Sequence, residues 1–242
     1  MQAGNAGLWW QAMKLSVIIP VYNERDTVLD AIRQVRACGV PDLQLIVVND
    51  ASTDGTRERL EALPPSPDLT LLHHAFNQGK GAAIRTAQPH VAGDAVVIQD
   101  ADLEYDPAEF PHMLRLIAAG RADAVFGSRY SGREIRVDTW WHYFGNRLLT
   151  FASNLCGNLH LTDMETCYKM IRADLFTAMP LECSRFGIEP ELTARLARRK
   201  CRIYEVPIRY EARGFDQGKK IGWKDGVAAL WYILKYNFLS RG

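Results

Sequence analysis

The 242-residue sequence contains five cysteines, Cys38, Cys156, Cys167, Cys183 and Cys201, and no two of them form a C-x-x-C pair or stand at metal-finger spacing. That excludes a zinc-ribbon or disulfide-stapled scaffold, and a reducing, cytoplasmic setting is expected. Long apolar runs are missing too. The longest, Val227 to Leu234, falls well short of the roughly 20 residues that a spanning helix needs. The N-terminus lacks the charged, apolar and small-residue zones of a secretory signal, so residues 1–13 read as an arm or as an upstream start preceding Met13. The expectation is a soluble or peripheral protein, at most peripheral on the cytoplasmic membrane face. Neither sign of charge dominates: 29 basic and 28 acidic residues leave a net charge of +1, which gives no bulk attraction for nucleic acid. No repeat, low-complexity tract or linker interrupts the chain, which points to one domain.

What is present alternates between two patterns. Leu15 to Pro20, Leu43 to Val48, Leu69 to His73 and Ala95 to Ile98 are short apolar runs of the kind that form buried parallel strands. Between them lie helical patterns over Glu24–Cys38, with Val28, Ile32 and Val35 on one face, over about Asp54–Leu63, and over Gly79–Gln88. Three β-α units in about ninety residues predict an α/β fold, a mostly parallel sheet with helices on both faces. Beyond Pro107 the spacing predicts helices near 107–119, 140–155 and 188–199, with strands near 123–126 and 202–206.

In open α/β sheets ligands bind beyond the carboxyl ends of the strands, and the polar clusters fall there. Asn49-Asp50 closes the second strand and Gln99-Asp100-Ala101-Asp102 the fourth. In extended backbone Asp100 and Asp102 point to the same side, and two such carboxylates repel unless a cation or a shared proton lies between them. Mg²⁺ or Mn²⁺ takes oxygen ligands and completes its shell with water and phosphate, and Glu104 offers a further oxygen. The plainer reading is a cap for the helix that starts near Pro107.

Four segments in order, Ser16-Val-Ile-Ile-Pro-Val-Tyr-Asn-Glu24, Val47-Val-Asn-Asp50-Ala-Ser-Thr-Asp54-Gly-Thr56, Asn77-Gln-Gly-Lys-Gly81 and Gln99-Asp-Ala-Asp102, resemble glycosyltransferase family 2. The resemblance runs from Lys14 to Leu239 and implies the Rossmann-like fold called GT-A, with a catalytic domain over 14–210 and a donor-closing loop plus an amphipathic helix over 211–242. It implies that Pro20, Tyr22, Glu24 and Asp50 line the nucleoside pocket of a GDP- or UDP-linked sugar. Asp100 then lies near ribose and sugar, and Asp102 and Glu104 bind the metal. Asn49 stands where many relatives have Asp. Asn77, Gly79, Lys80 and Gly81 read either as a phosphate cradle at a helix start or as a turn with a surface lysine.

The second half resembles the dolichyl-phosphate mannose synthase and bacterial polyprenyl-phosphate glycosyltransferase subgroup. Ser128 and Arg129, in a basic loop that also holds Arg133 and Arg136, imply a site for the phosphate of a lipid-linked acceptor, since a guanidinium matches phosphate oxygens bidentately. His142 and Arg147 are both candidates for a second contact to that phosphate. Tyr168 and Lys169 fit a bracing role. The segment carrying Arg213, Lys219 and Lys220 resembles a loop that closes over the donor diphosphate, where its charge would steady the leaving group. An ionised phosphate acceptor needs no general base. An alcohol acceptor, the alternative, needs one, for which Glu189 or Glu191 is placed. A third reading is a non-catalytic domain that binds nucleotide sugars. The stripe Trp223, Val227, Leu230, Leu234 and Phe238 fits a helix lying either on a membrane, as a peripheral contact, or on the domain.

Overall fold

The β-branched run Lys14–Val21 forms β1, which pairs with a parallel strand along each edge and buries its apolar side chains on both faces, as a central strand of a sheet covered on both sides does. The computed structural model describes residues 9–132, 135, 137, 139–212 and 223–240. Arg133, Arg136, Arg213, Lys219 and Lys220, and the side chain of Trp223, lie outside the described residues. β2 (Asp42–Asn49), β3 (Leu69–His73) and β4 (Ala95–Ile98) follow, alternating with α1 (Val28–Arg36), α2 (Thr56–Glu61) and α3 (Lys80–Ala87). α1 buries Val28, Ile32 and Val35 and turns the Asp30–Arg33 ion pair to solvent, as its spacing predicts.

The second half supplies α4 (Phe110–Ala118), β5 (Ala124–Ser128), α5 (Trp140–Gly157), β6 (Lys169–Arg172), α6 (Ala173–Thr177), α7 (Ile188–Arg198), β7 (Ile203–Pro207) and α8 (Trp223–Leu234), the last running into a π-helical turn over Lys235–Leu239. The sheet has seven strands in the order β3-β2-β1-β4-β6-β5-β7. All neighbouring strands are parallel except β6, which runs antiparallel to both β4 and β5. The fold is therefore a single α/β domain with a mostly parallel sheet, as expected. β6, with α6 after it, was not expected.

Two features of this topology place the site. The chain leaves β1 toward β2 on one side, while β4 lies on the other, so a crevice opens beyond the carboxyl ends of β1 and β4. Because β6 is antiparallel, it begins where its neighbours end, and the segment Thr162–Tyr168 that leads into it crosses the same edge. Among the described residues no helix is long and apolar enough to cross a membrane.

Candidate active site

The first wall is a pair of knitted turns. Asn23 and Ala51, the residues just past β1 and β2, both have positive φ (54° and 57°), a conformation that costs a side-chain-bearing residue roughly 1 kcal/mol. Hydrogen bonds between the turns hold it: Thr53 N–H donates to Asn23 Oδ1 (2.8 Å), Asn23 N–H to Ser52 Oγ (2.9 Å), Glu24 N–H to Thr56 Oγ1 (3.0 Å) and Arg25 N–H to Asp54 Oδ2 (3.1 Å). Pro20 ends the buried run of β1, and Tyr22 stands 40% exposed at the rim. The Glu24 carboxylate accepts from the Thr27 hydroxyl (2.9 Å).

Asp50 is buried at the end of β2 and acts within the protein. Its oxygens accept from Gln78 N–H (2.8 Å) and Gly79 N–H (2.7 Å), and Oδ1 lies 2.6 Å from His74 Nδ1. His74 Nε2 in turn meets Thr86 Oγ1 at 2.9 Å. Of the residues read as a phosphate cradle, Gly79 thus gives its N–H to a carboxylate of the chain itself, as does its neighbour Gln78. The glycines serve a close approach: a Cβ on Gly79 would lie 2.4 Å from Ser184 O, and one on Gly81 2.5 Å from Cys183 O. Gly79 also needs its φ of +96°. The contact draws the chain entering α7 against α3, with Ala82 N–H bonded to Ser184 O (3.0 Å).

That approach brings Glu189 to the acidic run. The Lys80 ammonium lies 2.8 Å from Asp100 Oδ1 and 2.8 Å from Glu189 Oε1. Burial works against this charge, yet the two carboxylates hold the lysine well above its ordinary pKa. In this structure Lys80 is placed to fix Asp100, where the sequence reading had it either facing phosphate or on a surface turn. Glu191, the other candidate base, is fully buried. It accepts from Glu182 N–H (2.8 Å), Cys183 N–H (2.7 Å) and the Arg195 guanidinium (2.7 Å), a structural bond set. The two glutamates that the sequence left equivalent are separated by their contacts.

Leu103, between Asp102 and Glu104, has φ +64°, and a strained residue of this kind inside an acidic turn is the sort of distortion that clusters at working sites. Asp102 Oδ1 accepts from Glu104 N–H (3.1 Å). The Tyr210 hydroxyl donates to Glu104 Oε2 (2.7 Å), Glu211 N–H donates to Glu104 O (2.8 Å), and Tyr105 pairs with Tyr210 across a β-bridge. The acidic run is therefore stitched to the chain leading out of β7. Among the described residues no three His, Cys, Asp or Glu side chains gather closely enough to cage an ion. Asp102 and Glu104 offer hard carboxylate oxygens, the donor type that Mg²⁺ and Mn²⁺ take when phosphate and water complete the shell.

On the far side of β4, Ser128 is buried, its hydroxyl 2.6 Å from Thr162 Oγ1. Arg129 binds Asp163 through Nε (2.7 Å) and Nη2 (2.8 Å), a bidentate pair beside the ring of Tyr210. Burial works against both ions, but each steadies the other, and Asp163 stays below the usual carboxylate range. The fork read as a phosphate ligand is thus already engaged by a carboxylate. Arg147 is exposed, its Nη1 3.4 Å from Thr162 O, and His142 is half-buried on the same helix. Glu205 of β7 accepts from Thr162 N–H and Asp163 N–H (2.9 and 3.1 Å), which fixes this segment. Glu165 sits in it with Oε1 enclosed and unpartnered among the described residues. Burial first, and the charge of Glu189 second, push its carboxyl up to about 7. Neither Glu165 nor Glu205 was singled out from the sequence. The run Leu161–Lys169, which contains Glu165, resembles the polyprenyl-phosphate glycosyltransferase subgroup, but that resemblance assigns it no chemistry, and Glu205 lies in the strand expected near 202–206 with no motif of its own.

The carboxylates at the topological switch of this α/β sheet stand where such folds bind ligands, and the chain belongs to glycosyl transferase family 2, whose family model matches residues 16–179. It is similar to the undecaprenyl-phosphate mannosyltransferase of Micrococcus luteus, 30% identical over 237 residues that cover 90% of this chain and 92% of that protein. It is 30% identical over 212 residues to the undecaprenyl-phosphate 4-deoxy-4-formamido-L-arabinose transferase of Enterobacter sp., covering 85% of this chain and 62% of that longer protein. Among solved structures, glucosyl-3-phosphoglycerate synthase from Mycobacterium tuberculosis with uridine diphosphate superposes with a TM-score of 0.74 at 18% identity, over 100% of this chain and 86% of that one. The same enzyme with Mn²⁺, uridine diphosphate and glucosyl-3-phosphoglycerate gives 0.73 at 17%. At that identity the likeness establishes the shared GT-A fold.

Proposed function

We propose that this glycosyltransferase moves a sugar from a GDP- or UDP-linked donor to a polyprenyl phosphate, with inversion at the anomeric carbon, and uses Mg²⁺ or Mn²⁺ held by Asp102 and Glu104. The observation that carries the reading is the acidic run at the end of β4. It faces the turns after β1 across the switch point and is tied by Tyr210 to the chain that leads toward Arg213 and Lys219. The similarity to undecaprenyl-phosphate transferases over most of the chain supports the acceptor.

Each group then has a task. Pro20, Tyr22 and Glu24 hold the nucleoside at the knitted turns, which Asp50 props from beneath. Lys80 holds Asp100 in one orientation for the ribose and sugar. Asp102 and Glu104 would hold the divalent ion, which would supply Lewis-acid charge to the diphosphate. Arg213 and Lys219 add positive charge to the same leaving group. Ser128 and Arg129 shape the acceptor side, with Arg147 and His142 at its rim. A phosphate monoester, whose second pKa is about 6, arrives largely dianionic at neutral pH and attacks without a base. An alcohol would have to give its proton to Glu189, whose Oε1 is held by the Lys80 ammonium, a contact that makes the carboxylate a weaker base.

The test incubates the protein with Mn²⁺, labelled GDP- or UDP-sugars and a water-soluble prenyl phosphate. Label is expected in the prenyl phosphate, and Asp102→Ala should cut turnover by about 10²–10³-fold and abolish metal-dependent donor binding. Metal-dependent binding that survives in Asp102→Ala overturns the metal assignment. Label that goes only to saccharide hydroxyls overturns the acceptor. Tight donor binding without turnover on any acceptor leaves a nucleotide-sugar-binding domain.

A further inference from the structure

Of the four enclosed side-chain polar atoms that have no partner among the described residues, two belong to neighbours in the chain, Glu165 (Oε1) and Thr166 (Oγ1). Native proteins satisfy nearly all such atoms, because a polar atom cut off from water loses its hydration without return. Glu165 is not loosely placed. The turn that carries it is pinned on both sides. Met164 N–H donates to Thr150 Oγ1 (3.1 Å), Cys167 N–H donates to the Tyr105 hydroxyl (3.2 Å), and the Lys169 ammonium donates to the carbonyls of Met164 (2.7 Å) and Thr166 (2.6 Å). A carboxyl on so fixed a backbone, with its enclosed oxygen left open, is built as a ligand contact is built. Glu165 as a whole is partly exposed, so its carboxyl can turn to a ligand by rotation about side-chain bonds while the backbone stays in place.

Position says which ligand. Two residues before Glu165, Asp163 holds Arg129 on the acceptor side (2.7 Å). Two residues after it, Cys167 Sγ lies 3.6 Å from the Lys80 ammonium, the group that fixes Asp100 on the donor side. The span Asp163–Cys167 thus bridges the two sides of the crevice, with Glu165 at its midpoint. The charges that act on the Glu165 carboxyl come from both sides as well: Glu189, which is paired with Lys80, and Arg129 with Asp163. In a displacement at an anomeric carbon the sugar ring lies between the departing diphosphate and the attacking oxygen, so the midpoint is the sugar's place. Charge points the same way. Beside Glu189 and Asp163 a phosphate oxygen would bring negative charge to negative charge, whereas a sugar hydroxyl brings a proton to donate.

We infer that Glu165 is a specificity-determining residue whose Oε1 accepts a hydrogen bond from one hydroxyl of the transferred sugar. This rests on the sugar-nucleotide half of the reading above and not on the acceptor.

The test starts from a panel of GDP- and UDP-hexoses, screened with Mn²⁺ by thermal shift, and then measures binding by calorimetry. The probes are the donor that the parent binds, each of its singly deoxygenated forms, and GDP or UDP alone. Glu165→Met, which keeps the length of the side chain without its oxygens, should lose about tenfold or more in affinity for the intact donor. One deoxygenated form should lose the same factor on the parent and nothing further on the variant. Glu165→Gln, which keeps a carbonyl acceptor, should retain most of the affinity, and GDP or UDP alone should bind both variants as it binds the parent. Glu165→Ala takes the place of Glu165→Met if the latter fails to fold. Equal losses on the intact donor, on every deoxygenated form and on the bare nucleoside diphosphate would make Glu165 a structural brace and overturn the contact. Parent-like donor binding by Glu165→Met overturns it in favour of a bound water. A deoxygenation series with the same losses on parent and variant overturns the contact and leaves the donor reading standing. Failure of every nucleotide sugar in the panel to bind the parent overturns the donor reading and the contact with it.

Discussion

The helix after β4 and the helix after β5 bury opposite kinds of residue. α4 puts Phe110, Met113, Leu114 and Ile117 inside and His112 and Arg115 outside. α5 puts threonine, serine and asparagine inside and tryptophan, phenylalanine and leucine outside. The cause is what each helix covers. α4 lies on the apolar face of β5 and β6, which offers only side chains. α5 lies on the loop 161–164, whose backbone groups need partners once water is excluded. Asn154 both accepts from Leu161 N–H (2.9 Å) and donates to Leu161 O (2.8 Å), and Thr150 Oγ1 accepts from Met164 N–H (3.1 Å). The side proposed for the donor is thus mounted on an ordinary core, and the side proposed for the acceptor on a polar seam whose apolar back faces away.

The largest way to break this comparison is to truncate each inside face. Leu114→Ala in α4 should cost about 2–5 kcal/mol, the loss of buried methyl groups plus the cavity they leave. The measurement is denaturant unfolding, and a cost under about 1 kcal/mol would mean that α4 is not seated on the sheet as described.

On α5 the inside face is hydrogen bonding, so removing a hydroxyl while keeping the volume should be what hurts. Thr150→Val strips Met164 N–H of its partner and Asn146 Oδ1 of its donor (3.2 Å), at a cost of about 1–3 kcal/mol, while Thr150→Ser should keep most of it. Equal stability of the valine variant in urea titration would show that the seam is wet and that the inversion of α5 carries no energy.

The same contrast explains what the sequence disclosed. Strands β1, β2 and β4 were legible because a strand sealed on both faces reads as an unbroken apolar run. β6 was not: Lys169-Met-Ile-Arg172 is short and bounded by charges, and its lysine is buried only because Met164 O (2.7 Å) and Thr166 O (2.6 Å) take the ammonium. That contact gives Lys169 the bracing role its position suggested. Periodicity showed that α8 has an apolar stripe but not which way it faces. The chosen stripe, through Val227, Leu234 and Phe238, turned out to be the exposed one, and Ile233 and Tyr236 are inside. In the site, the carboxylates at strand ends could be found by rule. The partners that define their tasks, Glu189 on Lys80 and Asp163 on Arg129, come from distant parts of the chain and carry no local pattern.

Glu165 stands where the two sides meet, and it offers the finest test of how dry that junction is. Its folded carboxyl, pushed up to about 7 by burial and by Glu189, lies above the ordinary glutamate value of about 4.3. A raised value means that the folded state binds this proton more tightly than the unfolded one. The stabilisation is therefore fully present below about pH 4.3 and is lost as pH rises through about 7. Glu165→Gln keeps the shape and removes the titration. Relative to that variant the parent should lose stability between about pH 5 and 8, reaching a gap of about 1–2 kcal/mol. The gap should stay below the full linkage value because the residue is partly exposed. Thermal midpoints of the two proteins across that range check it: curves that diverge with rising pH place a neutral carboxylic acid beside Glu189 in the folded protein. Curves that remain parallel mean that Glu165 is ionised throughout, with water reaching the junction between the polar seam of α5 and the Lys80–Asp100 pair.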